Sequence, residues 1–220
     1  MRILALETAT PATGVAVLED ARVVAEAAGE PGRAHGAALL PAVQRALGAA
    51  GIGLDGIDAF AVSIGPGSFT GLRVGLATLK AFALGTTRPV AAVPTLGAMA
   101  WPAREPGALL VPRLDAQRGE LYAAAYRGEG DGLVRVLEES VWRPDELEAR
   151  LAELGPGRPV LAAPRAAAVG EIGARMLARG QGLPAGDLVP RYLRRAEAEA
   201  RRTGQRLEPT ARGDPAGELL

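Results

Sequence analysis

Apolar and polar positions alternate at the start of the chain and then change period. Ile3–Thr8 alternates and predicts a strand. "TPATG" (Thr10–Gly14) reads as a turn, and Val15–Glu19 and Arg22–Ala27 follow as two further strands of a meander. From about Ala34 to Ala50, Leu39, Leu40, Val43 and Leu47 recur at helical spacing. Pro41 fits that helix if it lies in the first turn, and otherwise kinks it. The apolar run Ile57–Ile64 predicts a strand, which breaks into "GPGSFTGLRVG" (Gly65–Gly75). A helix from about Thr70 to Leu84 and a short strand over Arg88–Pro94 complete the order β-β-β-α-β-α-β.

The second half repeats this order without repeating the sequence. Ala108–Leu114, Glu120–Tyr126 and Leu133–Glu139 are strand candidates, separated by turns at "DAQRG" and "RGEGDG". Arg143–Leu154 predicts a helix with Asp145 placed for its N-terminus. Arg158–Pro164 follows as a strand and Ala166–Arg179 as a helix. A meander followed by α-β-α, twice over, predicts an α/β fold: an actin-like (ASKHA) duplication of two ribonuclease-H-like lobes, with mixed sheets flanked by helices. The expected division is residues 1–104 for the N-terminal lobe, 105–204 for a degenerate second lobe, and 205–220 for a loose tail. Val189–Arg202 is expected to cross back or lie on the surface.

The helix after the glycine loop is apolar on more than one side. Leu72, Leu76, Leu79 and Ala83 form one line, and Val74, Ala81 and Leu84 form another. Arg73, Thr78 and Lys80 interrupt them. A helix covering one side of a sheet needs a single stripe. The pattern therefore predicts burial on a second side, either inside the chain between two lobes or against another subunit. The Ala34–Ala50 helix has a similarly wide apolar surface, and Gly71 and Gly75, four apart, would let a partner helix approach closely.

Composition narrows the functions. The chain has 220 residues, 48% of them hydrophobic, enough for one sizeable core or two small lobes. Twenty-five basic residues balance twenty-five acidic ones, so no overall field draws the protein to nucleic acid or to a membrane. Without cysteine there is no disulfide framework, thiolate nucleophile or Cys-ligated zinc. "MRILALETAT" reads as a strand rather than a signal peptide, and no apolar run reaches about 18 residues, so the expected compartment is the cytoplasm.

The glycine loop fails the familiar phosphate patterns. A P-loop needs lysine directly after its last glycine, but Leu72 follows Gly71 and the nearest lysine is Lys80. The third glycine of a dinucleotide fingerprint falls one residue late, and Ser68 does not stand in G-x-S-x-G. Two readings remain. Pro66 and Gly67 suit a type II turn, with Ser68 or Thr70 capping the helix. Alternatively, the helix start holds an anion, with Arg73 nearby.

"LALETAT" (Leu4–Thr10), "HGAALLPAV" (His35–Val43), "VSIGPGSFTGLRVGLATLKAFA" (Val62–Ala83), "RLDAQRGELYAAAY" (Arg113–Tyr126) and "PRYLR" (Pro190–Arg194) resemble the TsaB family, also called YeaZ. These are bacterial accessory proteins of tRNA threonylcarbamoyladenosine synthesis. The resemblance implies an actin-like fold of two lobes and cooperation with a paralogue, TsaD, and the ATPase TsaE. TsaD transfers threonylcarbamoyl to the N6 of the adenosine beside the anticodon in tRNAs reading codons that begin with A. TsaB-like proteins are implied to be non-catalytic scaffolds that activate TsaD, can self-associate as homodimers, and meet tRNA through the complex. They carry no cofactor of their own; the complex uses ATP and Mg²⁺. The implied contact surface lies on the two helices of the first lobe, here Leu39, Val43, Leu72, Arg73, Leu76, Leu79 and Ala83.

An older glycoprotease label for the family does not suit these residues. The catalytic relative carries paired metal-binding histidines on its first helix, whereas "HGAALL" holds His35 alone. A catalytic zinc or iron site normally needs three protein ligands, so His35 reads as a helix-start or interface residue. Glu7 and Asp115 each follow the first strand of a lobe, where an actin-like ATPase places an acid near magnesium and phosphate. Each either organises Mg²⁺ through water or hydrogen-bonds its own turn. Glu7, Ser68, Thr70 and Asp115 are thus the candidates for nucleotide or anion contact, and they keep open an alternative: an independent actin-like, ATP-dependent small-molecule kinase. The arginines of "YLRRAEAEARR" either touch tRNA phosphates or belong to a solvated helix.

Overall fold

The computed structural model describes residues 1–193. Within that span the chain forms two compact units. The first comprises Met1–Ala98 and Ala163–Pro190; the second comprises Met99–Ala162 and, of the described residues, 191–193.

The first unit is built on a five-stranded sheet. Strands β1 (Arg2–Glu7), β2 (Gly14–Glu19) and β3 (Arg22–Ala28) form the antiparallel meander, and β4 (Ala59–Gly65) and β5 (Val90–Pro94) add in parallel, giving the order β3-β2-β1-β4-β5. Helices α1 (His35–Ala50) and α2 (Phe69–Ala83) connect them, followed by the short α3 (Thr95–Ala100). The side chains alternate across the sheet. Leu4, Leu6, Val15, Val17, Phe60 and Val62 form one cluster with Leu39, Val43, Leu76 and Leu79 of α1 and α2. Their sequence neighbours Ala5, Ala16, Leu18 and Ala61 are also buried and face the other way. A sheet covered on both faces needs this near-continuous apolar reading.

What covers the second face is α5 (Ala166–Ala178), which packs along β1, β2, β4 and β5. This corrects the expected assignment of Ala166–Arg179 to the second lobe. It also replaces the simple division at residues 104 and 105, because residues 163–190 return to the first unit. Small residues are the physical reason. A Cβ on Gly173 would lie 2.6 Å from that of Ala61, and one on Gly170 would overlap Leu18. Gly170 and Gly173 thus let α5 lie close against Leu18, Ala61 and Ala91 of the sheet.

The second unit has the strand order β8-β7-β6-β9, from β6 (Leu109–Asp115), β7 (Leu121–Glu129), β8 (Gly132–Trp142) and β9 (Arg158–Val160). This is the meander-plus-parallel-strand order of the first sheet, one strand shorter. It bears out the duplicated, actin-like architecture read from the sequence. Helix α4 (Pro144–Ala152) buries Leu147 and Leu151 against Leu109, Val111, Ala123 and Ala125. Acidic Asp145 and Glu146 sit in its first turn, where the backbone dipole favours them. In the interior, the Tyr126 hydroxyl donates to Glu139 Oε1 at 2.8 Å and Arg191 Nη1 donates to Glu139 Oε2 at 2.9 Å. The tail 205–220 and most of Val189–Arg202 lie outside the described residues. No helix among the described residues is long and apolar enough to cross a membrane.

Candidate functional site

Helices α1 and α2 lie side by side on one face of the first sheet. Pro41 stands inside α1 rather than in its first turn, and Gly51 ends that helix in a left-handed conformation at φ 68°. Helix α2 is capped by Ser68, whose Oγ accepts from Gly71 N at 3.2 Å. Thr70 is exposed and does not cap.

The glycine loop meets the turn after β1. Ser68 N donates to Ala9 O at 2.7 Å, and Thr8 Oγ1 donates to Gly71 O at 2.8 Å. A Cβ on Gly67 would overlap Ala9 O, one on Gly71 would overlap Thr8 O, and one on Gly75 would overlap Thr8 Oγ1. Gly67, just before the cap, and Gly71 and Gly75 on α2 thus clear room for Thr8 and Ala9. This corrects two expectations. Gly67 has φ 158° rather than the value near 80° of a type II turn, and the Gly65–Pro66 peptide is cis. Gly71 and Gly75 receive the chain's own Thr8 rather than a partner helix.

Glu7 sits at the base of this loop, 1% exposed. Its Oε1 accepts from Ala9 N at 2.6 Å, its Oε2 accepts from the Ser63 hydroxyl, and Thr10 N adds a further backbone bond. Burial pushes its carboxyl up from 4.5 to about 7, against the lowering effect of those donors. Asp115, in the second unit, is exposed and accepts from Gln117 N at 2.7 Å. Both acids therefore hold their own turns. His35 opens α1 with Nδ1 2.7 Å from Thr13 Oγ1, and burial lowers its pKa. Among the described residues no three of His, Asp and Glu converge on a point that could hold a metal ion.

The expected contact residues divide sharply. Leu39, Val43, Leu72, Leu76, Leu79 and Ala83 are none of them more than 4% exposed and belong to the chain's own interior. As contact residues they are corrected, because the heavy leucine line is the stripe that faces the sheet. Arg73 alone of that set is exposed, its guanidinium 3.9 Å from the centre of the Phe69 ring. The second line persists: Val74 is half-buried, Ala81 is exposed and Leu84 is 83% exposed.

The outer surface of the pair is a low-charge strip. Helix α1 presents Ala37, Leu40 and Gln44, with Leu40 49% exposed. Helix α2 presents Thr70, Arg73, Ala77 and Ala81 at three- and four-residue spacing. Neither helix contains an Asp or Glu. Sequence reasoning missed Ala77 and placed Leu40 with the packed positions. The available signal was the 70, 73, 77, 81 stripe left over once the leucines were assigned to the sheet.

Comparison with known proteins gives consistent relatives. The family model for tRNA N6-adenosine threonylcarbamoyltransferase (TsaD) matches residues 23–184. The tRNA threonylcarbamoyladenosine biosynthesis protein TsaB of Escherichia coli is 41% identical over 157 residues, 70% of this chain and 68% of that protein. Its Bacillus subtilis namesake is 32% identical over 149 residues, 67% of this chain and 65% of that protein. The solved structure of YeaZ from Pseudomonas aeruginosa is similar with a TM-score of 0.75 at 31% identity, covering 87% of this chain and 99% of that one.

Proposed function

Because this chain belongs to the TsaB family, also called YeaZ, we propose that it is a non-catalytic scaffold in tRNA threonylcarbamoyladenosine synthesis. It activates a TsaD subunit for threonylcarbamoyl transfer to N6 of the adenosine beside the anticodon. The observation that carries this reading is the strip on α1 and α2. Each helix already buries one stripe against the sheet, yet Ala37, Leu40, Ala77, Ala81 and Leu84 remain on the surface. Small side chains let helices from a partner pack closely into such a surface. Docking removes what remains exposed of Leu40 and Leu84 from water, worth about 1 kcal/mol for the half-covered Leu40 and about 2 kcal/mol for Leu84. Arg73, stacked on Phe69, supplies a large planar contact of the kind that anchors interfaces.

The same strip serves self-association when the chain is alone, so homodimer and TsaD complex compete for it. TsaE and tRNA join through that complex, and its ATP and Mg²⁺ are handled by the other subunits. Support for the last point comes from Glu7 and Asp115, whose oxygens are engaged by Ala9, Ser63 and Gln117. A kinase would need those acids turned toward nucleotide-bound metal. The test is calorimetric titration of this chain with its TsaD homologue. Leu40→Arg and Ala77→Arg, both at exposed positions, should keep the wild-type melting temperature and lose binding. Wild-type affinity in both variants overturns the assignment.

A further inference from the structure

The Thr8–Thr13 loop holds the beginnings of both strip-bearing helices. On the α2 side, Ala9 O accepts from Ser68 N and Thr8 Oγ1 donates to Gly71 O. On the α1 side, Thr13 Oγ1 bonds His35 Nδ1. Gly29 N also donates to Thr13 O at 2.9 Å, and a Cβ on Gly29 would lie 2.8 Å from Thr13 Cβ and 2.9 Å from Ala38 Cβ, so only a glycine fits between the end of the loop and the first turn of α1. One carboxylate stands at the root of this loop.

We propose that Glu7 is a positioning residue of the scaffold: by pinning the Thr8–Thr13 loop it sets α1 against α2, and so shapes the surface a partner meets without touching that partner. The inference rests on the scaffold reading above and names the residue that tunes the same surface. Chemistry explains the choice of side chain. The amides of Ala9 and Thr10 and the Ser63 hydroxyl all point donors inward. A buried donor left without an acceptor loses its water partner and gains nothing in return. A carboxyl group, with two acceptor oxygens, satisfies three such donors at once. The groups facing it from neighbouring elements are Ser63 of β4 and the loop amides. His35 of α1 is turned to Thr13, and Arg165, preceding α5, pairs with Glu26. The loop is therefore held by hydrogen bonds to one buried acid rather than by an ion pair.

The test uses the full-length chain and its TsaD homologue. Binding is measured by calorimetry, and amide hydrogen exchange is followed at Ala9, Thr10, Ser68 and Leu72. Glu7→Ala should weaken binding by about tenfold or more, the equivalent of one or two orphaned donors, and should speed exchange at those four amides. Glu7→Gln retains an acceptor for the amides, and the Ser63 hydroxyl can rotate to accept from its NH₂. It should restore affinity to within about threefold of wild type, since an amide oxygen accepts nearly as well as a neutral acid. A residue that merely stabilises the fold would lower the melting temperature and leave the affinity of the folded fraction unchanged.

Wild-type affinity in folded Glu7→Ala, with Leu40→Arg unable to bind, overturns the positioning role and leaves the strip intact. Wild-type affinity in Leu40→Arg as well overturns the strip itself. If Glu7→Ala does not fold, Ser63→Ala carries the test. It should weaken binding and move the carboxyl titration of Glu7 further up, read by carbon NMR. An unchanged affinity there overturns the proposal.

Discussion

Glu7→Gln is expected to flatten the pH dependence of folding stability between about pH 5 and pH 8. In the folded chain burial raises this carboxyl from 4.5 to about 7. The folded state therefore holds its proton more tightly than the unfolded state does. Stability linked to Glu7 is complete below the unfolded value of 4.5, falls as pH rises toward 7, and levels off above it, where both states are ionised. The displacement corresponds to about 3 kcal/mol across that window. That is a large share of a domain's typical stability of about 5–15 kcal/mol. The assay is urea unfolding at pH 5, 6, 7 and 8 for wild type and variant. His35, whose pKa is lowered by burial, adds a slope of opposite sign, but both proteins share it and it cancels in the difference. The gap between the two stability curves should shift by about 3 kcal/mol in favour of the glutamine variant as pH rises. Parallel curves would mean that Glu7 does not bear the cost of burial, and the reasoning would fail.

Gly75→Ala should destabilise the chain by about 2–4 kcal/mol despite the helix-propensity gain of roughly 1 kcal/mol, because its Cβ meets Thr8. Gly48→Ala, with open space around it, should stabilise by up to about 1 kcal/mol, and chemical denaturation separates the two. Leu76→Arg should unfold the chain, since the side chain is 4% exposed and the new charge would be buried, whereas Leu40→Arg should retain its circular dichroism spectrum. Tyr126→Phe should cost about 1.5–3 kcal/mol in thermal or urea unfolding by removing a donor from buried Glu139.

The strands and helices were largely legible because their periods differ and glycine or proline marks most of their ends. The azimuth of α2 was not. Periodicity shows that Leu72, Leu76 and Leu79 share a side, but not whether that side meets a sheet or a partner. Ala77 and Ala81 carry so little hydrophobic weight that the face they occupy stays quiet in the sequence. The place of α5 was illegible for a related reason. Its glycines make sense only beside Leu18 of β2, Ala61 of β4 and Ala91 of β5, which lie far from them along the chain. Glu7 was legible as an acid after a strand, with two roles open. The role in the loop became visible only when Ser63, fifty-six residues away, came within hydrogen-bonding reach.

The most direct measurement is reconstituted threonylcarbamoyl transfer to tRNA with TsaD, TsaE and threonylcarbamoyl-adenylate. It is run without this chain, with wild type, and with folded Leu40→Arg. Modification should require the wild-type chain and fall to the chain-free level with Leu40→Arg. Full modification without the chain, or undiminished modification with the variant, would contradict a scaffold that works through the α1–α2 strip.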